Sequence, residues 1–262
     1  MTTYNKLLSY FKNLDSALVA FSGGVDSTLL LKMLKDSSIR HCAVTISSEF
    51  ITDEEIASVK RLAEMIAVKH ITKEIKLLQH SQIKKNPKDR CYYCKRVIFE
   101  SLNEIAQTEG FEKVLDGTNI DDLTQWRPGI RALKELNIFS PFVELKITKG
   151  EIIELSKSLN LPTWNKQSSP CLATRFYYNT EIEKSYIEKV SLTEIWLKNE
   201  GFTNVRVRTN GIDATIEVDK SQIFRITDSK IHTQLINYFK KIGFRLIKLD
   251  LEGYSSGKLD KF

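Results

Sequence analysis

The residues with the clearest chemical purpose are Ser22-Gly-Gly-Val-Asp-Ser-Thr28. A short apolar run, 17–21, leads straight into them, and helix-forming leucines follow. The segment therefore stands where a strand ends and a helix begins. Such a junction turns backbone N–H groups and the positive end of a helix toward an anion. Gly23 and Gly24 let the backbone approach a phosphate with no Cβ in the way. Ser22, Ser27 and Thr28 offer hydroxyl donors. Asp26 brings a negative charge to the same place, which makes sense beside phosphate only if a cation such as Mg2+ lies between them. The plainer alternative is a glycine turn with an Asx cap.

A second segment, Gly117-Thr-Asn-Ile-Asp-Asp122, follows another expected strand and would stand at the carboxyl edge of the same sheet, beside the first. Asp121 and Asp122 are candidate Mg2+ ligands, and Arg127 in Trp126-Arg-Pro-Gly129 is a candidate phosphate ligand. An Asp-rich turn is the bland alternative. A third set is Cys91-Tyr-Tyr-Cys94 with the distant Cys171. The CxxC spacing alone serves a redox pair, a zinc site or an iron–sulfur site. Two features favour iron and sulfur. No nearby His completes a zinc tetrahedron, and Cys171 lies in the polar loop Ser168-Ser-Pro-Cys-Leu-Ala-Thr-Arg175. Three thiolates can hold a 4Fe–4S cube with one iron left open, and an open iron can carry an extra sulfide. The fourth cysteine, Cys42, falls inside an expected strand and reads as core. Late in the chain, Arg206 and Arg208 lie two apart on an expected strand, so they share a face. That suits a phosphate, or simply solvent. Glu217 on the next strand is placed to pair with one of them.

These segments need a scaffold. Strands are expected at 17–21, 41–46, 68–75 and 113–116, and helices at 27–35, 53–66, 95–107 and 148–159. Thr52 caps the second of those helices, and Thr148 caps the last with Glu151 as its capping-box partner. The alternation predicts an α/β fold with a parallel, doubly wound sheet covered on both faces. After Arg175 the pattern changes: a helix over 180–199, strands at 204–208 and 214–218, a helix over 230–241 and a strand at 245–250. That order predicts a smaller C-terminal α+β domain. The expected division is 1–176 and 177–262, followed by a polar tail from Gly253.

Composition agrees with an ordinary globular protein. The chain has 262 residues, 42% hydrophobic and 27% charged. No apolar run approaches the roughly 18–20 residues of a membrane span. No basic start followed by an apolar stretch marks a signal peptide, so a cytoplasmic protein with no membrane partner is expected. There, clustered cysteines serve metal or catalysis more often than bridges. The net charge of +6 permits a nucleotide, a phosphorylated metabolite or nucleic acid as partner and does not choose among them.

The first motif lacks the lysine of the GxxxxGK[ST] loop and resembles instead the PP-loop of the ATP pyrophosphatase superfamily. That resemblance implies cleavage of ATP between its α and β phosphates. The substrate is adenylated on oxygen, pyrophosphate leaves, and a nitrogen or sulfur nucleophile displaces AMP. The full set resembles the LarE family of ATP-dependent sulfur transferases along nearly the whole chain. It comprises Ser22-Gly-Gly-Val-Asp-Ser-Thr28, Asp89-Arg-Cys-Tyr-Tyr-Cys-Lys95, Gly117-Thr-Asn-Ile-Asp-Asp122, Arg127-Pro-Gly-Ile-Arg131, Leu161-Pro-Thr-Trp164, Ser169-Pro-Cys-Leu-Ala-Thr-Arg175, Arg206-Val-Arg208 and Leu251-Glu-Gly-Tyr-Ser-Ser-Gly257.

The resemblance implies a PP-loop/HUP-like fold. It puts ATP and Mg2+ at Ser22, Gly23, Gly24, Asp26, Ser27, Gly117 and Asn119, and a nucleotide substrate's phosphate at Arg206, Arg208, Thr174, Arg175 and Glu194. It makes Cys171, Asp26, Cys91 and Cys94 catalytic, with the three cysteines as ligands of a 4Fe–4S cluster. It implies a homo-oligomer, from dimer to hexamer, whose C-terminal domain binds substrate or joins subunits. The reaction implied turns the two carboxylates of a pyridinium biscarboxylate mononucleotide into thiocarboxylates, for the nickel-pincer nucleotide of lactate racemase. Some members resemble a second design, in which the single cysteine matching Cys171 gives up its own sulfur. One run departs from the pattern: after Arg208 the family has histidines and then Ala-Arg-Ile-Glu, where this chain has Thr-Asn-Gly-Ile-Asp-Ala-Thr-Ile-Glu217. Three other readings share parts of these motifs: a tRNA thiolase, an amide-forming PP-loop ligase and a non-catalytic nucleotide- and redox-sensing module. No basic, aromatic-rich arm suited to RNA is present, so nucleic acid is not an expected partner.

Overall fold

Side chains alternate across a strand, and here both sets are apolar, so the first sheet must be covered twice. In the computed structural model, which describes residues 2–167, 169–255 and 257–261, that is the arrangement found. Ser168 of the cysteine loop and Ser256 of the tail motif lie outside the described residues. Strands β1 (Ser16–Ala20), β2 (Arg40–Ser47), β3 (His70–Glu74) and β4 (Lys113–Leu115) form a parallel sheet in the order β3-β2-β1-β4. Ala17, Val19, Ala43 and Leu115 share one core with helices α1 (Thr3–Lys12), α2 (Val25–Ser37) and α3 (Asp53–Ile66). Leu18, Cys42, Val44, Ile46 and Val114 share another with Phe99, Leu102, Ala106 and Leu133. Cys42 is fully buried, and burial pushes its thiol pKa up, so it is core and a poor nucleophile.

The winding fixes where a ligand can sit. The chain steps outward from β1 to β2 to β3, then crosses back to β4 on the far side of β1. Strand order therefore reverses between β1 and β4, and their carboxyl ends open a crevice there.

One body is built from Met1–Leu77 and Asp89–Ser169, the other from Leu78–Lys88 and Pro170–Phe262. The short helix α4 (Ser81–Lys84) belongs to the second. The first continues with α5 (Arg90–Glu109), α6 (Gly129–Glu135), α7 (Pro141–Glu144) and α8 (Lys149–Ser158). The capping boxes on α3 and α8 form as the sequence suggests, Thr52 with Glu55 and Thr148 with Glu151. Helix α5 starts earlier than its pattern suggests, and tertiary anchoring is the reason. Buried Tyr92 donates its hydroxyl to Glu135 at 2.7 Å, and the Arg131 guanidinium lies 3.6 Å over its ring. The CxxC therefore occupies the first turn of a helix, not a loop before it.

In the second body, α9 (Lys184–Asn199) precedes β5 (Arg206–Thr209) and β6 (Asp213–Glu217), an antiparallel pair. Then α10 (Ile223–Ile226) and α11 (Ser229–Ile242) cross over to β7 (Leu246–Leu249), parallel to β6. Its core gathers Leu197, Phe202, Val207, Ile216, Phe239 and Phe244. The division falls at Ser169/Pro170, ahead of the expected 176/177, and takes Leu78–Lys88 along. Hydrogen bonds explain the added piece. Buried Asn86 donates through Nδ2 to the Tyr177 carbonyl at 2.8 Å and accepts the Asn179 N–H at 2.8 Å; Ile182 N–H donates to Lys84 O at 2.8 Å. No hydrophobic period in 78–88 announces this.

His70 carries a pH dependence. Thr45 Oγ1 donates to Phe21 O at 2.6 Å, so His70 Nε2, 2.8 Å from that oxygen, is the donor between them. Burial lowers the His70 pKa, with the Lys60 charge adding to the effect. A lowered folded pKa favours the neutral ring, so this stability is present above the ordinary value of about 6.5 and is lost as pH falls through the folded value. Urea unfolding at about pH 7.5 and about pH 5.5 should show a loss at the lower pH that shrinks in His70→Gln.

Candidate active site

Residues 22–24 join β1 to α2, and Gly24 is the helix N-cap with no side-chain cap bond. The first-turn N–H groups thus keep no side-chain partner from the cap, the arrangement that suits an anion. Gly23 has φ +67°, and a Cβ there would come 2.8 Å from Val59 Cγ2 on α3, so only glycine fits. Ser22 Oγ and Ser27 Oγ are 3.1 Å apart. Thr28 Oγ1 is buried with no hydrogen-bond partner among the described residues.

The second loop closes on the first. A Cβ on Gly117 would come 3.0 Å from Asp26 Cβ and 3.1 Å from Ser27 N, so the two loops touch through backbone. Asn119 Nδ2 donates to Asp26 Oδ1 at 3.2 Å, and Asn119 Oδ1 accepts from the N–H groups of Asp121 and Asp122. The expected Mg2+ ligands already have partners. Asp122 accepts the Asn119 N–H at 3.0 Å and pairs with Arg127 at 2.9 Å, while Asp121 accepts the Lys149 N–H at 2.7 Å. Arg127, expected on a phosphate, is therefore tied to Asp122.

Three groups at this edge escape sequence reasoning. Lys149 Nζ lies 2.5 Å from Asp26 Oδ2, and Lys166 Nζ lies 2.9 Å from the Gly23 carbonyl. Buried Asp116 accepts hydrogen bonds from Thr118 Oγ1 and Ser140 Oγ, both at 2.5 Å, with Lys95 Nζ at 3.5 Å. The one available signal is negative: a phosphate loop without its own lysine must take its cation from elsewhere. Cys91 is exposed and Cys94 half-buried on the same α5 turn as the Tyr92 clamp.

In the second body, Cys171 is exposed and opens the turn Leu172–Arg175. Buried Arg175 holds that turn. Its Nη1 donates to Pro170 O at 2.8 Å, Cys171 O at 3.2 Å and Thr174 Oγ1 at 3.0 Å, while Nε and Nη2 engage Glu194 at 2.8 and 2.9 Å. Glu194 Oε1 also accepts the Val207 N–H of β5 at 3.0 Å. Arg208 makes a buried bidentate pair with Glu217, both bonds 3.0 Å, and its Nη1 donates to Thr174 O. The face shared by Arg206 and Arg208 is thus divided: Arg208 is committed to Glu217, and Arg206 makes no ion pair among the described residues. The Arg206 guanidinium lies 5.0 Å over the Tyr254 ring. Burial, and then the positive Arg175, push its pKa down. An arginine remains charged regardless.

Among the described residues, no group of three or more His, Cys, Asp or Glu is placed to hold a metal ion, and no helix is long and apolar enough to cross a membrane.

A parallel sheet with an uncapped glycine-serine junction at its switch point defines an ATP-dependent enzyme of the PP-loop class, and the PP-loop domain family matches residues 1–126. The similarity extends much further. The chain is 36% identical over 258 residues to the pyridinium-3,5-bisthiocarboxylic acid mononucleotide synthase of Lactiplantibacillus plantarum, covering 97% of this chain and 92% of that protein. It belongs to the LarE family of ATP-dependent sulfur transferases. Uncharacterised proteins of Synechocystis sp. (38% over 256 residues, 97% of this chain and 96% of that one) and Methanocaldococcus jannaschii (35% over 252 residues, 96% and 95%) are similar over the same length.

Glu194→Ala should remove the buried bidentate pair with Arg175 and cost about 3–5 kcal/mol of stability, read by urea unfolding. A loss near zero would mean that water reaches the pair.

Proposed function

We propose that this chain adenylates the two carboxylates of a pyridinium-3,5-biscarboxylate mononucleotide and replaces oxygen by sulfur, supplying the nickel-pincer nucleotide of lactate racemase. The observation that carries this reading is Arg206, a half-buried guanidinium with no ion pair among the described residues, beside the two arginines that hold the Cys171 turn. A phosphate on the substrate is the group it suits. The near full-length similarity to the named synthase supports the same substrate.

Ser22, Gly23, Gly24, Ser27, Gly117 and Asn119 surround the pyrophosphate of ATP, and Asp26 takes the accompanying Mg2+. A substrate carboxylate oxygen attacks the α-phosphorus, the bond to the β-phosphate oxygen breaks, and an acyl-adenylate forms. Helix-end N–H groups and positioning carry most of this step. Arg206 binds the substrate phosphate, while Arg175, Arg208, Thr174 and Glu194 fix the turn that presents Cys171. Cys91, Cys94 and Cys171 are the ligands we assign to a 4Fe–4S cluster, which when bound supplies sulfide to displace AMP. The donor set suits it: Cys91 and Cys171 are exposed, Cys94 is half-buried, and Cys42 is not reachable. The protein acts in the cytoplasm as a homo-oligomer, and exposed Leu192, Ile195 and Phe224 of the second body are apolar surface suited to subunit contact.

Two measurements test this. Asp26→Ala should cut pyrophosphate release with ATP and the biscarboxylate nucleotide by at least about a hundredfold; an unchanged rate removes the scheme. Anaerobic purification should give close to four irons per chain and a broad visible band, both lost in Cys91→Ala. No iron, with mass lost from one cysteine per turnover, makes Cys171 the sulfur donor instead.

A further inference from the structure

We propose that Lys149 is a movable cation that makes Mg2+ and ATP binding depend on each other: its ammonium holds the Asp26 carboxylate while no nucleotide is bound, and passes to the polyphosphate when Mg–ATP arrives. This rests on the reading of residues 22–27 as the ATP loop.

Geometry separates the fixed part of Lys149 from the movable part. Its backbone N–H is fastened to Asp121 Oδ2 at 2.7 Å, at the start of α8, directly behind the Thr148 cap. The Cα therefore cannot follow a ligand. The side chain is partly exposed, with a side-chain accessibility of 40%, and reaches across to Asp26 Oδ2 at 2.5 Å. A lysine stem has four rotatable carbons and a compact charge, so its ammonium can change partners about a fixed base. The other side of Asp26 is held by the Asn119 amide at 3.2 Å, so the carboxylate stays oriented when the ammonium leaves. Lys166, on the Gly23 carbonyl, keeps a second positive charge at the loop throughout.

Charge accounting then fixes the behaviour. Mg2+ alone must displace the ammonium from Asp26 and leave two cations side by side. ATP alone puts a polyphosphate beside Asp26 while Lys149 remains drawn to that carboxylate. Only metal and nucleotide together satisfy every group, with Mg2+ on Asp26 and phosphate oxygens on Lys149. The ion pair thus disfavours either half-loaded state, a positive coupling between two ligands.

Lys149→Met keeps the stem and removes the charge. With Mn2+ as the probe for Mg2+, paramagnetic resonance on the nucleotide-free full chain should show metal binding tightened about tenfold, since Asp26 is released. Calorimetry should show Mg–ATP binding weakened about tenfold or more, since the phosphate loses its ammonium. Asp26→Asn is the converse: metal-free ATP should bind more tightly than to the wild type, because Lys149 is already released. A Lys149→Met protein in which neither affinity moves, or both fall together, overturns the proposal, as does an Asp26→Asn protein with unchanged metal-free ATP affinity. Failure of the wild type itself to bind Mg–ATP would instead remove the ATP-loop reading on which the proposal stands.

Discussion

A helix that begins without a side-chain cap inside a protein has N–H groups in want of an acceptor, and most of this molecule's chemistry follows from one such start. Helices α3 and α8 satisfy theirs with full Thr/Glu capping boxes. Helix α2 starts at Gly24 with no side-chain bond, at the end of a strand buried on both faces. The uncapped end is kept where it is needed because β1 cannot shift without opening two cores. Gly23 and Gly117 then admit the neighbouring elements to contact distance.

Each body carries its own arrangement of buried and half-buried charge. In the first body, the Asp26 carboxylate is shared between an amide and an ammonium. In the second, three arginines accompany two carboxylates, Glu194 and Glu217, each engaged by bidentate bonds. Buried pairs of this kind contribute little net stability because desolvation offsets attraction. Their use is geometric: Arg175 and Arg208 fasten the carbonyls of Pro170, Cys171 and Thr174, so the backbone that carries the Cys171 thiol is fixed by buried groups. The remaining arginine, Arg206, lies over the Tyr254 ring and makes no ion pair among the described residues.

The fold was legible in outline because its patterns are local. Alternating apolar strands, two capping boxes and a glycine-serine junction are written within windows of a few residues, and each marks its element whatever the rest of the chain does. Element ends were less legible where a distant partner sets them. The first turn of α5 is held by Tyr92 against Glu135 and Arg131, and Leu78–Lys88 joins the second body through Asn86. Neither contact leaves a period in the sequence.

For the site, the sequence by itself determined which chemistry was possible. The PP-loop, the paired arginines and the three cysteines are recognisable because phosphate binding and sulfur chemistry demand those residue types at short, fixed spacings. Only the tertiary structure decided which of those groups are available. It brought Lys149 to Asp26 across 123 residues, engaged Asp122 in a cap and Asp121 with the Lys149 N–H, and paired Arg208 with Glu217 while Arg206 makes no ion pair among the described residues. The reason is that availability depends on who the neighbour is. A carboxylate or guanidinium looks the same in sequence whether its partner is a ligand or another side chain, and that choice is made only when distant segments pack together.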